Sequence, residues 1–308
     1  MRIPFALTGA PFFVLFVVAT AALTAADVSA SGKTKKAQTA ILVDKKTNQL
    51  TIAEYVQGEF KPVQVFHATL GKVKGDKEDE GDLKTPEGIY TFKQKLYPPS
   101  IKPKFGAMAF YINYPNTYDA IAGRTGFDIM LHATDEPTRL KQDYDSEGCV
   151  VVKNEEIKQI EPYIRPGLTP ILIFPETPGL TDEYMKPGLY EPLKKFFDAW
   201  VSAWESRDIE AYIKQYHSDF SNNGMNKAAY KKFKASLIDR YATISVGPEE
   251  VHYYRHPKYS MVTFTQNYKS TLKNGGVGHR SRGTKILYVG EESGQPKVIA
   301  ESFSQMMW

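Results

Sequence analysis

Short apolar runs separated by turn residues recur through the first 175 residues of the chain. Alternating or continuous runs of this length predict β-strands. Gly71–Asp82 and residues 97–107 are rich in glycine, proline or charge and are predicted to be loops. Asn154 is predicted to cap a short helix. This part is therefore predicted to be mostly β with short helices. Its predicted strands cover residues 41–43, 50–52, 63–70, 89–92, 109–113, 127–132, 150–152 and 169–174.

The spacing of apolar residues changes from two to about 3.6 beyond residue 190. Leu193, Phe196, Phe197, Trp200 and Trp204 fall on one face of a predicted helix. Helices are also predicted at 209–217 and 226–240, and strands at 244–246, 251–255, 259–271, 283–289 and 297–303. Helices followed by an antiparallel sheet predict an α+β domain.

Composition divides the chain into segments. Residues 176–190 are rich in proline and glycine, which predicts a linker between domains at 39–175 and 191–308. Residues 1–30 are predicted to be an export signal, because Arg2 precedes an apolar run that ends in a small-residue cleavage pattern. An uncleaved membrane anchor is the alternative. Residues 31–38 are predicted to be a polar tether, so the body of the protein is expected outside the cytoplasmic membrane.

Charge and cysteine content exclude several function classes. The chain has 39 Lys+Arg and 35 Asp+Glu, and a net charge of +4 argues against a nucleic-acid binder. Residues 191–308 are more basic, which suits either an anionic surface or a solvated face. A single cysteine excludes an internal disulfide and a multi-cysteine metal site. No metal or cofactor is predicted.

Cys149 is the candidate nucleophile and His132 the candidate base. A free thiol is only a few per cent ionised at neutral pH and needs a base to become a thiolate. Gly148 permits a tight turn, and the backbone N–H groups of Glu147, Gly148 and Cys149 are predicted to form an oxyanion hole. The alternative is an inert, buried cysteine.

Three motifs occur in order: Thr85-Pro86-Glu87-Gly88-Ile89-Tyr90, then His132, then Ser146-x-Gly148-Cys149-Val150. Together they resemble the YkuD-type L,D-transpeptidase catalytic domain over about residues 39–175. The resemblance implies a β-sandwich-like fold whose cysteine attacks the third residue of a peptidoglycan tetrapeptide stem, expels D-alanine and forms an acyl-enzyme. It implies Cys149 as nucleophile, His132 as base and later acid, and the carbonyl of Ala133 as the group that orients the imidazole.

The chain departs from the family pattern at three positions. Glu147 replaces a histidine, Val151 replaces a basic or amide residue, and Ala133 stands where glycine or serine is common. The change at 151 removes an anchor for a substrate carboxylate. The carboxylate at 147 disfavours a thiolate unless it faces solvent or His132 is protonated. Ser146 and Arg124 are the candidate substrate-binding residues.

Residues 191–308 resemble the NTF2/SnoaL-type cone, in which long helices precede a bent sheet. A YkuD-type domain joined to such a cone resembles the L,D-carboxypeptidases that trim tetrapeptides to tripeptides and set curved or helical cell shape. This resemblance implies tetrapeptide stems as the partner and the periplasm as the location. A glycan or small ligand in the cone and a homodimer are further expectations.

The resolution of the acyl-enzyme stays open at this stage. Attack by water gives an L,D-carboxypeptidase, which is the favoured prediction. Attack by an amine gives an L,D-transpeptidase that forms 3–3 cross-links or attaches wall proteins. A third hypothesis is a non-catalytic wall-binding module, and the departures at Glu147 and Val151 motivate it.

Overall fold

The computed structural model describes residues 38–56, 59–176 and 190–305. The predicted export signal, and nearly all of the predicted tether and linker, lie outside the described residues. The described residues belong to one compact unit. We refer to residues 38–176 as the first lobe and to residues 190–305 as the second lobe. Within these ranges, every helix is too short or too polar to cross a bilayer.

A sheet of eight strands forms most of the first lobe. The lobe contains β1 Thr39–Asp44, β2 Gln49–Val56, β3 Glu59–His67, β4 Leu70–Gly71, β5 Gly88–Leu96, β6 Ala109–Ile112, β7 Met130–His132, β8 Tyr144–Ser146, β9 Val150–Val151 and β10 Pro170–Phe174. The strand order is β3-β2-β1-β10-β5-β6-β7-β9. The β1–β10 and β7–β9 pairs are parallel and the other neighbours are antiparallel. The short strands β4 and β8 form a separate parallel pair.

The central strands β1 and β10 are apolar on both faces. Ile41 pairs in register with Ile171, and both side chains lie in the core of the first lobe. The next pair, Leu42 and Leu172, belongs to a different cluster that includes residues of the second lobe. Continuous apolar runs are typical of strands that are covered on two sides. The second lobe therefore provides one of the two covers of this sheet.

The helices of the first lobe are short. They are α1 Thr117–Ile121 and α2 Asn154–Ile160. The prediction that Asn154 caps a helix was wrong, because Lys153 is the N-cap residue. The Asn154 amide instead accepts the N–H of Ala107 at 2.7 Å and donates to the carbonyl of Thr134 at 3.0 Å. It therefore ties together two loops that flank His132.

The second lobe follows the predicted order of helices and then a sheet. Its elements are α3 Glu191–Glu205, α4 Ile209–Ile213, β11 Ser221–Asn222, β12 Met225–Asn226, α5 Lys227–Arg240, β13 Tyr241–Ser245, β14 Pro248–Arg255, β15 Ser260–Leu272, β16 Val277–Glu292 and β17 Gln295–Gln305. The predicted apolar face of α3 is buried together with Phe264 of β15 and Leu287 of β16. The β11–β12 hairpin was not predicted.

The two lobes share a buried apolar cluster. From the first lobe it contains Ala40, Leu42, Ala53, Phe60, Ile89, Leu172 and Phe174. From the second lobe it contains Tyr190, Tyr254, Tyr259, Met261, Tyr288 and Ala300. One face of the second-lobe sheet thus packs on the central sheet of the first lobe, as in a sandwich.

We expect Met261→Ala to lower the free energy of unfolding by about 2–5 kcal/mol, because it removes a side chain that is 1% exposed at the lobe interface. Thermal denaturation of both lobes should stay a single transition, which calorimetry can measure. Val277→Ala is the control, since Val277 is 65% exposed on the same sheet. Two separate transitions in the wild type would contradict the interface as described.

Candidate active site

Cys149 lies at the tip of a tight turn between β8 and β9. Gly148 has φ +124°, and a Cβ at this position would lie 2.7 Å from the carbonyl oxygen of Lys84. The buried Ser146 hydroxyl donates to the carbonyl of Cys149 at 2.6 Å and accepts the N–H of Gly148 at 3.1 Å. These two hydrogen bonds stabilise the turn. Ser146 also lines the cavity beside the thiol.

One of the three predicted oxyanion-hole donors, the N–H of Gly148, already makes a hydrogen bond within the protein. Its N–H is donated to Ser146, so it is not directed at an incoming oxyanion in this structure. The N–H groups of Glu147 and Cys149 are the two other predicted donors. Glu147 itself is exposed, so its backbone is part of the turn while its side chain reaches solvent.

Strand pairing brings His132 next to the cysteine. His132 ends β7 and pairs in register with Val151 of the parallel strand β9, which directly follows Cys149. The two side chains line one cavity of about 350 Å³. His132 is 2% exposed, and the ring of Phe105 packs edge-on against the imidazole with the centroids 4.9 Å apart.

The backbone carbonyl of Ala133 orients the imidazole. It lies 2.5 Å from Nδ1 of His132. A carbonyl can only accept, so Nδ1 carries the proton and Nε2 is left as a base. The thiol of Cys149 donates to the carbonyl of Asp128 at 3.7 Å. These two contacts fit a protonated thiol beside a neutral imidazole.

The electrostatics of the site favour the same neutral pair. Burial lowers the pKa of His132 to about 4, and the cations Arg139 and Lys104 act in the same direction. Burial raises the pKa of Cys149 to about 11, and the Glu147 carboxylate adds to this rise. The backbone N–H of Met130 and the same two cations oppose the rise. Both shifts favour a thiol and a neutral imidazole over a thiolate–imidazolium pair.

A second cavity, of about 480 Å³, also reaches the thiol. The first cavity is polar and contains His132, Arg139 and Asp145. The second is lined by Tyr111 and Phe127 together with acidic, basic and uncharged residues. Cys149 lines both. The thiol therefore lies where two spaces of different character meet.

Arg139 is a residue that the sequence reasoning missed. Its Nε lies 3.0 Å from Oδ2 of Asp145, and its Nη2 donates to the Asp145 carbonyl at 3.2 Å. It brings a cation to the cavity of the thiol, although residue 151 is a valine. The motif lacks a basic residue after the cysteine, which was a signal to look for one elsewhere. Choosing it from several Lys and Arg residues required the fold.

Arg124, predicted to bind substrate, lies elsewhere. It pairs with Asp76, lies 3.8 Å from a carboxylate oxygen of Asp119, and donates to the carbonyl of Lys77 at 3.0 Å. Its side chain is 13% exposed. It lines neither of the two cavities at Cys149. Two carboxylates and a loop carbonyl therefore hold this guanidinium, and the structure does not bring it to the thiol.

A buried polar cluster fills part of the second lobe. Glu301, 4% exposed, accepts from Lys285 Nζ at 2.7 Å, from the hydroxyl of Tyr216 at 3.0 Å and from the hydroxyl of Tyr230. Lys234 lies over aromatic rings, and burial lowers its pKa to about 8. The rings belong to Trp204, Tyr212 and Tyr230. No motif or residue spacing in the sequence predicts this cluster.

Comparison with known proteins identifies the family. Residues 38–173 match the L,D-transpeptidase catalytic domain model YkuD, and residues 192–302 match the C-terminal NTF2-like domain of Cds6. The solved structure of Bd1075 from Bdellovibrio bacteriovorus is 32% identical, with a TM-score of 0.70, over 88% of this chain and 93% of that one. The chain belongs to the YkuD family of L,D-transpeptidase catalytic domains. The predicted family and the predicted mostly β fold with an NTF2-like second domain are confirmed.

Other relatives are more distant or match over a shorter span. The helical cell shape determining protein Pgp2 from Campylobacter jejuni shares the fold, with 22% identity and a TM-score of 0.68 over 87% of this chain and 92% of that one. The Escherichia coli K12 protein named "Putative L,D-transpeptidase YafK" is 30% identical over 131 residues. That match covers 40% of this chain and 47% of the relative, so the chain spans about half of its length.

The raised thiol pKa predicts how Cys149 reacts with iodoacetamide. The rate should rise about tenfold per pH unit between about pH 7 and pH 10, because a pKa near 11 keeps the reactive thiolate a minor species there. Glutathione, whose pKa is lower, is the control and should level off within this range. A rate that is already level at about pH 6 would reveal a resting thiolate–imidazolium pair instead.

Proposed function

We propose that the protein is an exported cysteine peptidase that removes the terminal D-alanine from peptidoglycan tetrapeptide stems. The observation that carries the proposal is the pairing of β7 with β9, which brings His132 and Cys149 to one open cavity in a catalytic domain of the L,D-transpeptidase family. This family acts on peptidoglycan stems. Because that polymer lies outside the cytoplasmic membrane, the proposal includes a periplasmic location.

The first half of the reaction forms an acyl-enzyme. Sγ of Cys149 attacks the carbonyl carbon of the third stem residue while its proton passes to Nε2 of His132. The N–H groups of Glu147 and Cys149 stabilise the resulting oxyanion. As the tetrahedral intermediate collapses, the C–N bond breaks and His132 returns the proton to the amine of the departing D-alanine. A thioester remains.

The second half of the reaction releases the tripeptide. Water attacks the thioester, His132 takes a proton from the water, and the sulfur leaves and is reprotonated. His132 therefore has to reach both the leaving amine and the incoming water. Both must lie in the polar cavity that His132 lines, and the acyl part of the stem lies in the larger cavity.

Arg139 is the proposed anchor for the carboxylate of the terminal D-alanine. It lines the polar cavity, and the Asp145 carboxylate holds its guanidinium in place. Guanidinium groups bind carboxylates with directed, charge-assisted hydrogen bonds. Arg139 would thus take the place of the basic residue that the family pattern expects at 151.

The role of the second lobe is part of the proposal. The Lys285–Glu301 pair and the rings around Lys234 contact one another in the interior, so the glycan or small ligand of the cone stays a prediction. The predicted homodimer would have to use another surface than the sheet face that packs on the first lobe.

We expect Cys149→Ala to reduce release of D-alanine from purified tetrapeptide muropeptides by more than about 1000-fold, because it removes the attacking atom. Mass spectrometry of the products checks this, and His132→Ala should give a loss of similar size. Cross-linked dimers in place of free tripeptide would support transfer to an amine. Binding without turnover by the wild type would support the non-catalytic module and overturn the proposal.

We expect Arg139→Met to lower kcat/KM for the tetrapeptide by about 10- to 100-fold, because a charge-assisted hydrogen bond to the substrate carboxylate is lost. Arg165→Met is the matched control, since Arg165 lies in the same lobe and lines neither cavity. A tetrapeptide with an amidated C-terminus should be cut poorly by the wild type and equally poorly by Arg139→Met. If the variant loses the same factor on both substrates, the assignment of the anchor is wrong.

A further inference from the structure

We propose that the second lobe positions the catalytic site through Lys258. This lysine binds the neck of the loop at residues 72–87, which we define as residues 75–76 and 85–87. This loop joins β4 to β5 and forms a wall of the cavities at Cys149. Lys258 lies in the turn between β14 and β15 of the second lobe. The activity measurement below rests on the proposed function, whereas the structural measurement does not.

Lys258 binds both sides of the neck. Its Nζ lies 2.5 Å from Oδ2 of Asp76 and donates to the carbonyl of Glu87 at 2.6 Å. The Lys258 side chain is only 18% exposed. A lysine with so little solvent contact is destabilising unless its ammonium group is paired. These contacts therefore hold Asp76 and the carbonyl of Glu87 at a fixed distance from each other.

A lysine of the first lobe closes the same neck from its other side. Nζ of the buried Lys45 donates to the carbonyls of Gly75 at 2.5 Å and Thr85 at 2.9 Å and to Oε1 of Glu87 at 2.8 Å. Asp76 also accepts the backbone N–H of Glu87 at 2.8 Å. One lysine from each lobe thus binds the two chain segments that form the neck.

The adjacent residue Tyr259 extends this contact to β5. Its hydroxyl accepts the N–H of Ile89 at 2.8 Å and the amide N–H of Asn116 at 2.9 Å. A Cβ on Gly88 would lie 2.9 Å from this hydroxyl, so the two lobes approach closely where the loop ends. Tyr259 is 3% exposed.

The body of the loop meets the nucleophile turn. The carbonyl oxygen of Lys84 lies 2.7 Å from the position that a Cβ of Gly148 would take, and the N–H of Lys72 donates to the carbonyl of Ser146 at 2.8 Å. Lys77 and Leu83 line the larger cavity, while Lys72 lines the polar one. A displacement of the neck would therefore move the cavity walls and the support of the Gly148 turn together.

Lys258 is in this account a positioning residue, because it contacts neither the thiol cavities nor the imidazole. Reaction rates are sensitive to displacements of about 1 Å, which can cost about 100-fold. Loss of Lys258 should therefore lower kcat more than it raises KM. The apolar cluster between the lobes and the Arg124–Asp76 pair are left intact by such a change.

The test compares Lys258→Met, which keeps most of the aliphatic stem, with Lys258→Arg, which restores a cation. Lys269→Met is the control, because Lys269 is an exposed lysine of the same lobe on β15. Hydrogen–deuterium exchange of the amides at 72–87 is measured along with kcat and KM for the tetrapeptide. The amides of α3 and β15 report on the second lobe as a whole.

Lys258→Met should raise exchange at 72–87 by about tenfold or more while α3 and β15 exchange as in the wild type. Its kcat should fall by about 10- to 100-fold, and Lys258→Arg should recover part of that loss. Unchanged exchange at 72–87, or a rise of equal size throughout the chain, overturns the proposal. If Lys258→Met does not fold, Lys258→Gln removes the charge from the same contact while keeping a hydrogen-bond donor, and it should raise exchange at 72–87 in the same way. A wild type without turnover would instead count against the proposed function, and the exchange comparison would still decide this inference.

Discussion

Strands β1 and β10 bury both of their faces, and the arrangement of the whole chain depends on this burial. One face forms the core of the first lobe, around Ile41 and Ile171. The other, around Leu42 and Leu172, is covered by aromatic side chains of the second lobe. Burying a large apolar side chain contributes about 1.5–3 kcal/mol. A sheet with two apolar faces therefore needs a cover on each side, and here the second lobe is one of them.

The same sheet determines the geometry of the active site. Its far edge ends in β7 and β9, and their parallel register brings His132 and Cys149 to one cavity. Burial favours the neutral form of both groups, because it lowers the pKa of His132 and raises that of Cys149. The turn at Gly148 depends in addition on the loop that packs against it.

Buried lysines fix the position of the contacting groups at the interface more specifically than apolar packing alone. Apolar contacts are tolerant of small shifts, whereas hydrogen bonds from an ammonium group to carbonyls require particular positions. Lys45 and Lys258 impose this requirement on the neck of one loop, from two lobes. The catalytic domain and its companion are therefore joined most specifically where the substrate cavity begins.

The sequence by itself determined the family and the classes of structure. The order of the motifs around Glu87, His132 and Cys149 indicated the family, and apolar spacing indicated the strands and the amphipathic helix α3. These are local patterns, which depend on neighbours within a few residues. The tertiary structure decided which residues that are distant in the sequence come into contact. It directed Arg124 to Asp76 and away from the thiol, brought Arg139 to the cavity, and engaged the Gly148 amide with Ser146. Such pairings follow from strand register and loop path, and several lysines and arginines were equivalent candidates until the folded chain set the distances between them.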